Sequence, residues 1–134
     1  MSKTRIYTDG SCRDKIGGYA FIILKDNLEI SWSEKVHDTT NNRMELLAVI
    51  EALRCLESTE PCDIYSDSQW VINCAQKKWK RNKNLDLWEK YDTLSKKHSI
   101  NFIWVKGHSG DIYNEKCDKL AFGEVNLKTT ESRR

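Results

Sequence analysis

The order in which hydrophobic periodicity changes along this chain constrains its fold more than any other feature. Residues 3–9 alternate apolar and polar, as a strand does. Residues 18–25 (GYAFIILK) and 28–36 (LEISWSEKV) keep a strand character and are joined by Asp26-Asn27, which predicts a hairpin. From 41 to 57 the chain reads NNRMELLAVIEALRCLE, and the period becomes that of a helix. A strand at 62–66 follows, then a short helix from Ser68 to about Lys78 and another from about Leu85 to Lys97. A last strand is expected at 100–105 (INFIWV), a loop at GHSGD, and a final helix starting near Ile112 to Asn114. Three antiparallel strands followed by alternating helices and strands imply a mixed α/β sheet with helices packed on it. The 134 residues suit one domain with a single core, taken as 1–126, with a polar, frayed tail at 127–134.

Composition narrows the class. No segment approaches the ~20 consecutive apolar residues that span a bilayer, so no membrane partner is expected. The N-terminus, MSKTRIYTDG, leads directly into a strand and shows no targeting pattern. Five cysteines, Cys12, Cys55, Cys62, Cys74 and Cys117, lie scattered with no C-x-x-C pair. They argue against a disulfide framework or a zinc site and for a reducing, cytoplasmic setting. The net charge of +2 says little, but KKWKRNK at 77–83 gathers five cations around a tryptophan. A solvated helix end is the bland explanation; a phosphate-binding edge with an aromatic surface is the functional one.

Four carboxylates sit where burial should exclude them. The phrases IYTDGS at 6–11 and IYSDSQ at 64–69 each carry an aspartate, Asp9 and Asp67, where a strand is expected to stop. On a helical wheel of 41–57, Arg43, Glu51, Arg54 and Glu57 share one arc of about 120°, the solvent face. Glu45 lies opposite, among Ala48, Val49, Ala52 and Leu56. A carboxylate there is costly unless something pairs with it. On the last helix Asp118 lies on the side of Ala121 and Val125, away from Lys116 and Lys119. If the two aspartate-bearing strands are parallel neighbours, their ends converge, and ligand sites of open sheets lie at such ends. Four converging carboxylates repel one another, and divalent cations with oxygen preference, Mg²⁺ or Mn²⁺, resolve the conflict. Two such ions about 3.5–4 Å apart suit phosphoryl chemistry.

Six segments in order then carry a resemblance: YTDGSC at 7–12, TTNNRMEL at 39–46, SDSQWV at 66–71, NLDLW at 84–88, WVKGHSG at 104–110 and NEKCDKLA at 114–121. Over nearly its whole length the chain resembles the type 1 ribonucleases H. That resemblance implies a ribonuclease H-like fold, a five-stranded mixed sheet of order 3-2-1-4-5 with helices on both faces. It implies metal-dependent hydrolysis of the RNA strand of an RNA–DNA hybrid, leaving 5′-phosphate and 3′-hydroxyl ends, with two Mg²⁺ ions per site. The implied metal ligands are Asp9, Glu45, Asp67 and Asp118, the four isolated above. His108 matches the family's mobile histidine, which assists proton transfer or product release. Its flanking Gly107 and Gly110 fit a flexible arm. Asn41, Asn42 and Gln69 match minor-groove contacts, including the 2′-hydroxyl that distinguishes RNA from DNA. For either asparagine, helix N-capping is the structural alternative. Thr40 and Arg43 match positions that hold DNA-strand phosphate, and Trp79 matches a tryptophan lining the DNA channel.

Two departures stand out. The long basic protrusion of bacterial members is nearly absent, because KKWKRNKNLDLW runs almost directly from one middle helix to the next. Affinity would then rest on another surface or on a partner. The glycine-rich turn after the first strand, RDKIGG at 13–18, is also short. A monomer is expected. Three rival readings are a different nuclease or integrase of the same superfold, a non-catalytic hybrid-binding module, and a soluble domain whose acids are incidental, against which the two strand-end aspartates and the wrong-face Glu45 and Asp118 speak. The first lacks the NNRMEL and WVKGHSG segments, and the second has no need of all four carboxylates.

Overall fold

The computed structural model describes residues 3–107 and 110–126, the last three by their backbone alone. Five strands, β1 (Thr4–Arg13), β2 (Ile16–Lys25), β3 (Leu28–His37), β4 (Pro61–Ser66) and β5 (Ser99–Trp104), form one sheet of order β3-β2-β1-β4-β5. β1, β2 and β3 pair antiparallel, and β4 pairs parallel with both β1 and β5. The mixed sheet and its strand order are those expected.

Four helices lie among the described residues: α1 (Asn41–Cys55), α2 (Gln69–Ala75), α3 (Leu85–Ser95) and α4 (Ile112–Asn126). They divide between the faces as strand alternation requires. Ile6, Phe21, Ile23 and Ile64 turn to one face and pack with Leu46, Val49, Ile50 and Leu53 of α1 and Leu87, Trp88 and Tyr91 of α3. Tyr7, Ala20, Ile22 and Leu24 turn to the other and meet Cys117 and Ala121 of α4. Three of these four helices begin where a side chain satisfies a free backbone N–H. Thr40 Oγ1 accepts from Arg43 N at 3.2 Å, Ser68 Oγ from Val71 N at 3.1 Å, and Asp111 Oδ1 from Asn114 N at 3.0 Å. At α3 the left-handed Asn84 (φ 59°) offers its carbonyl to Leu87 N and Trp88 N instead. None of the helices is long and apolar enough to cross a membrane.

Two local expectations fail. β1 does not stop at Asp9 but runs on to Arg13, because β2 continues to pair with it from Asp9↔Ala20 to Arg13↔Ile16. The turn after it is only Asp14-Lys15, both with positive φ (53° and 66°), the geometry that suits a two-residue hairpin loop. Gly17 and Gly18 therefore belong to β2, not to a turn. The helices also end a few residues early, α2 at Ala75 rather than near Lys78. The tail at 127–134 lies outside the described residues.

Candidate metal centre

The site forms where β1 keeps one neighbour and loses the other. The parallel ladder to β4 ends at Tyr7↔Tyr65, whereas the antiparallel ladder to β2 continues past Asp9. The sheet opens there between β1 and β4. Asp9 lies in β1 and Asp67 one residue beyond β4, each two residues after its tyrosine. The two rings stack with centroids 4.5 Å apart and planes 10° from parallel, which fixes the two strands immediately before their carboxylates.

Glu45 arrives from α1, whose first turn presses against β1. A Cβ on Gly10 would lie 2.4 Å from the Glu45 backbone nitrogen and from the Met44 carbonyl carbon. One on Gly17 would lie 2.5 Å from Thr39 Cγ2. The chain entering α1 is tied down as well: Thr39 N donates to Lys15 O at 3.0 Å, and Cys12 Sγ lies 3.4 Å from Thr39 O. Asp9, Glu45 and Asp67 each place a carboxylate oxygen within 4.8 Å of the others. Asp118 enters from α4, within hydrogen-bonding reach of Asp9. Its neighbour Cys117 sits fully buried against Tyr7 O (3.6 Å) and Ala20 O (3.3 Å), which pins this part of α4 to β1 and β2.

Crowding and burial dominate the electrostatics. Asp9 is 2% exposed, and its carboxyl is pushed up to about 9 by burial, by the Asp118 carboxyl beside it and by the charge of Asp67. Gly10 N–H, donating to Asp9 Oδ1 at 2.9 Å, opposes that shift only in part. Glu45 is raised well above the usual carboxylate range by burial and by Asp9 and Asp67. Asp9 Oδ2 and Glu45 Oε1 are buried and have no hydrogen-bond partner. Buried oxygens are rarely left so. Oxygen-only donors, mutually repelling and unpartnered, fit a hard divalent cation.

Asn41, Asn42 and Gln69 are exposed at the starts of α1 and α2, and since Thr40 and Ser68 cap those helices, none of the three is used as a cap. Thr40 is the cap of α1. Arg43 makes a two-pronged ion pair with Asp86 (2.8 and 3.1 Å) and a 3.1 Å bond to Asn84 Oδ1, joining α1 to α3 and drawing the Asp86 carboxyl down to about 2. A phosphate would have to compete with Asp86 for it. Trp79 is 48% exposed. His108 lies outside the described residues. Within the basic run, Lys77, Lys78, Lys80 and Lys83 are exposed, but Arg81 is not available as a surface cation. It bonds both oxygens of Asp92 (3.0 and 2.8 Å), donates to Cys74 O at 2.8 Å and lies 4.3 Å over the Trp88 ring.

Four further residues shape the site although the sequence reading gives none of them a role in it. Gly10 and Gly17 admit α1 to the sheet, Trp104 Nε1 donates to Asp67 O at 3.3 Å, and Asn114 is buried with an unpartnered Oδ1. Only Asn114 leaves a signal in the sequence, since it lies four residues before Asp118 on the same helix face.

Comparison with known proteins agrees with this geometry. The family model described as RNase H matches residues 1–126. A ribonuclease H of Clostridium botulinum (strain Hall) is 47% identical over 142 aligned positions, covering 90% of this chain and 94% of that protein. A ribonuclease H of Acetivibrio thermocellus is 45% identical over 143, covering 93% and 96%. Among solved structures, the N-terminal RNase H domain of a Mycobacterium tuberculosis protein superposes with a TM-score of 0.82 at 23% identity, covering 92% of this chain and 94% of that one. LC11-RNase H1, solved with an RNA/DNA hybrid, gives 0.76 at 20% identity, covering 92% and 97%. At those identities the two structures speak for the fold alone.

Proposed function

The chain belongs to the RNase H family of nucleases, and we propose that it hydrolyses the RNA strand of RNA–DNA hybrids at the Asp9, Glu45, Asp67 and Asp118 cluster, leaving 5′-phosphate and 3′-hydroxyl ends. The observation that carries this reading is the pair of buried, unpartnered oxygens, Asp9 Oδ2 and Glu45 Oε1, within a trio of carboxylates gathered inside 4.8 Å. Asp9, Glu45, Asp67 and Asp118 would hold two Mg²⁺ ions, with Mn²⁺ as a substitute. Bound there, such ions supply an activated water and charge stabilisation for the leaving oxygen.

The chain's own contribution is placement. Asn41, Asn42 and Gln69, free of capping duty, offer amides that can both give and accept a hydrogen bond, as a 2′-hydroxyl requires. Trp79 offers an exposed ring to the DNA strand. Thr40 and Arg43 are the phosphate-side contacts of this reading, with Arg43 exchanging Asp86 for a phosphate. His108 is assigned the proton-transfer or product-release role. The protein acts as a cytoplasmic monomer in this reading, and its five free cysteines fit a reducing compartment.

The test is cleavage of a labelled hybrid with Mg²⁺ and with Mn²⁺, against duplex RNA and duplex DNA, for the wild type and Asp67→Asn. The amide keeps the shape but lacks the ligand charge. The variant should fold, show metal-free stability equal to or above wild type, and not cleave. Near-wild-type cleavage by Asp67→Asn would overturn the assignment.

A further inference from the structure

The outer strand of a sheet is the part most ready to pair with another chain, and folded proteins usually blunt it with short length, proline or bulges. Among the described residues β3 is such an outer strand, and it carries none of these three devices. It is 10 residues long and contains no proline. Its ladder to β2 is unbroken from Ile16↔His37 to Lys25↔Leu28, so no bulge turns it aside.

Strand alternation gives β3 two unlike faces. Leu28, Ile30, Trp32, Glu34 and Val36 turn to the α1 side, where Ile30 and Trp32 lie across the ladder from the core residues Ile23 and Phe21. Yet Leu28 is 67% exposed, and Ile30 and Trp32 are 50% exposed. An apolar stripe therefore lies open along the edge, a feature that marks an interaction surface. The stripe continues inward as a groove of about 250 Å³, where Leu28 and Ile30 meet Ile23, Cys55 and Leu56. Glu29, Ser31, Ser33 and Lys35 turn to the α4 side, where Glu29 pairs with Lys116.

We propose that β3 pairs antiparallel with β3 of a second copy of this chain, across a two-fold axis at Trp32, so that two five-stranded sheets join edge to edge. The strand's own sequence selects both occupant and register. A two-fold contact must be self-complementary, because residue i meets j and j meets i. Centred on Trp32, the pairing sets Glu29 against Lys35 twice, Ser31 against Ser33 twice and Leu28 against Val36 twice, with the two indoles on the axis. Unlike charges and aromatic pairs directly opposite each other favour a cross-strand pairing. A centre one residue earlier would set Leu28 against Glu34, and one residue later Trp32 against Glu34. Within β3, the Trp32 centre alone sets a lysine against a glutamate. Its weakest rung is Ile30 against Glu34, and that carboxylate already accepts from Tyr19 Oη and Trp32 Nε1 on its own chain.

The carboxylate cluster lies on β1 and beyond, two strands in from this edge, and each copy keeps its own. The pairing therefore does not depend on the hydrolysis reading. At the dilution of a cleavage assay the chain works alone, and the pair forms as concentration rises.

Sedimentation equilibrium of the full chain over a concentration series tests this. Wild type should show a reversible monomer–dimer step with a dissociation constant of about 10–100 µM, the weak end expected of a small interface. Ile30→Lys, at an exposed position that leaves the core intact, should be monomeric while its circular dichroism matches wild type. Glu29→Lys and Lys35→Glu each set like charges opposite one another and should each weaken association by about tenfold. Mixed in equal amounts, these two charge variants should associate as well as wild type, because each then meets the charge it lacks. A wild type that stays monomeric throughout leaves the edge to a strand of some other protein and overturns the proposal. A dimer indifferent to Ile30→Lys does the same, by placing the contact elsewhere. So does a mixture of the charge variants no more associated than either alone, which excludes the register.

Discussion

Tyr7 and Tyr65 face each other across the last rung of the parallel β1–β4 ladder, with their rings stacked at 4.5 Å. The repeated Tyr-(Thr/Ser)-Asp phrase is therefore a matched pair of strand ends, and the stack sets the spacing from which Asp9 and Asp67 depart. Tyr65→Leu keeps apolar bulk but removes the stack and should cost about 0.5–1.5 kcal/mol. Urea unfolding reads the stability. Calorimetric titration of Mg²⁺ should show weaker binding in the same variant, and unchanged binding would mean that the stack does not set the carboxylate spacing.

The second prediction concerns pH. An ordinary aspartate titrates near 3.9 when unfolded, whereas Asp9 is held at about 9 in the fold. Between those values the folded chain keeps a proton that the unfolded chain has lost. Without divalent metal, stability should therefore fall as pH rises through that window. Asp9→Asn should flatten the profile, and Mg²⁺ should raise the wild-type midpoint at the alkaline end by binding only the folded state. Urea midpoints across the window, with and without chelator, check this; an equally steep profile in Asp9→Asn would assign the slope elsewhere.

Gly10 is the third. A Cβ there meets the backbone of Met44 and Glu45 at 2.4 Å, and backbone can yield only by moving α1. Gly10→Ala should cost about 1–3 kcal/mol. By displacing Glu45 it should also lower kcat by up to about 100-fold, with a smaller effect on KM. Kinetics at saturating hybrid separate the two, and a change confined to KM would remove Gly10 as a positioning residue.

The basic run gives the fourth. Arg81 is committed to Asp92, Cys74 O, Ala75 O and the Trp88 ring, with its side chain only 13% exposed. Arg81→Ala should cost about 2 kcal/mol, an amount discounted because Asp92 is 40% exposed. It should leave the salt dependence of hybrid binding unchanged. Replacing Lys77, Lys80 and Lys83 should do the reverse, flattening the slope by about 0.9 for each phosphate that is no longer neutralised. Affinity measured over a salt series for both variants decides the matter.

The contrast within that run shows what a sequence can and cannot reveal here. The apolar run GYAFIILK of β2 and the misplaced Glu45 are legible because burial leaves its trace in residue type. The role of Arg81 is not, because its partners Asp92 and Trp88 come from the next helix and nothing in KKWKRNK marks one cation as different. β1 past Asp9 is obscured for a related reason. GSCR is a polar stretch that is held by one-sided pairing with β2 rather than by burial on both faces. Thr40 reads in the sequence as a phosphate contact, while in the fold its hydroxyl closes the start of α1.

The parallel pairing of β1 with β4 also bears on when the protein becomes active. Hairpins β1–β2 and β2–β3 close short loops, but Tyr7 can meet Tyr65 only after the whole of α1 has been made and laid down. Pairings so distant in sequence form slowly, because chain entropy is lost before they return anything. A chain in which β4 has not yet reached β1 therefore lacks Asp67 at the cluster, and Asp118 arrives only when α4 docks on β1 across a still longer span. Nuclease activity in a refolding time course would then report completion of the sheet, lagging behind the return of helical signal.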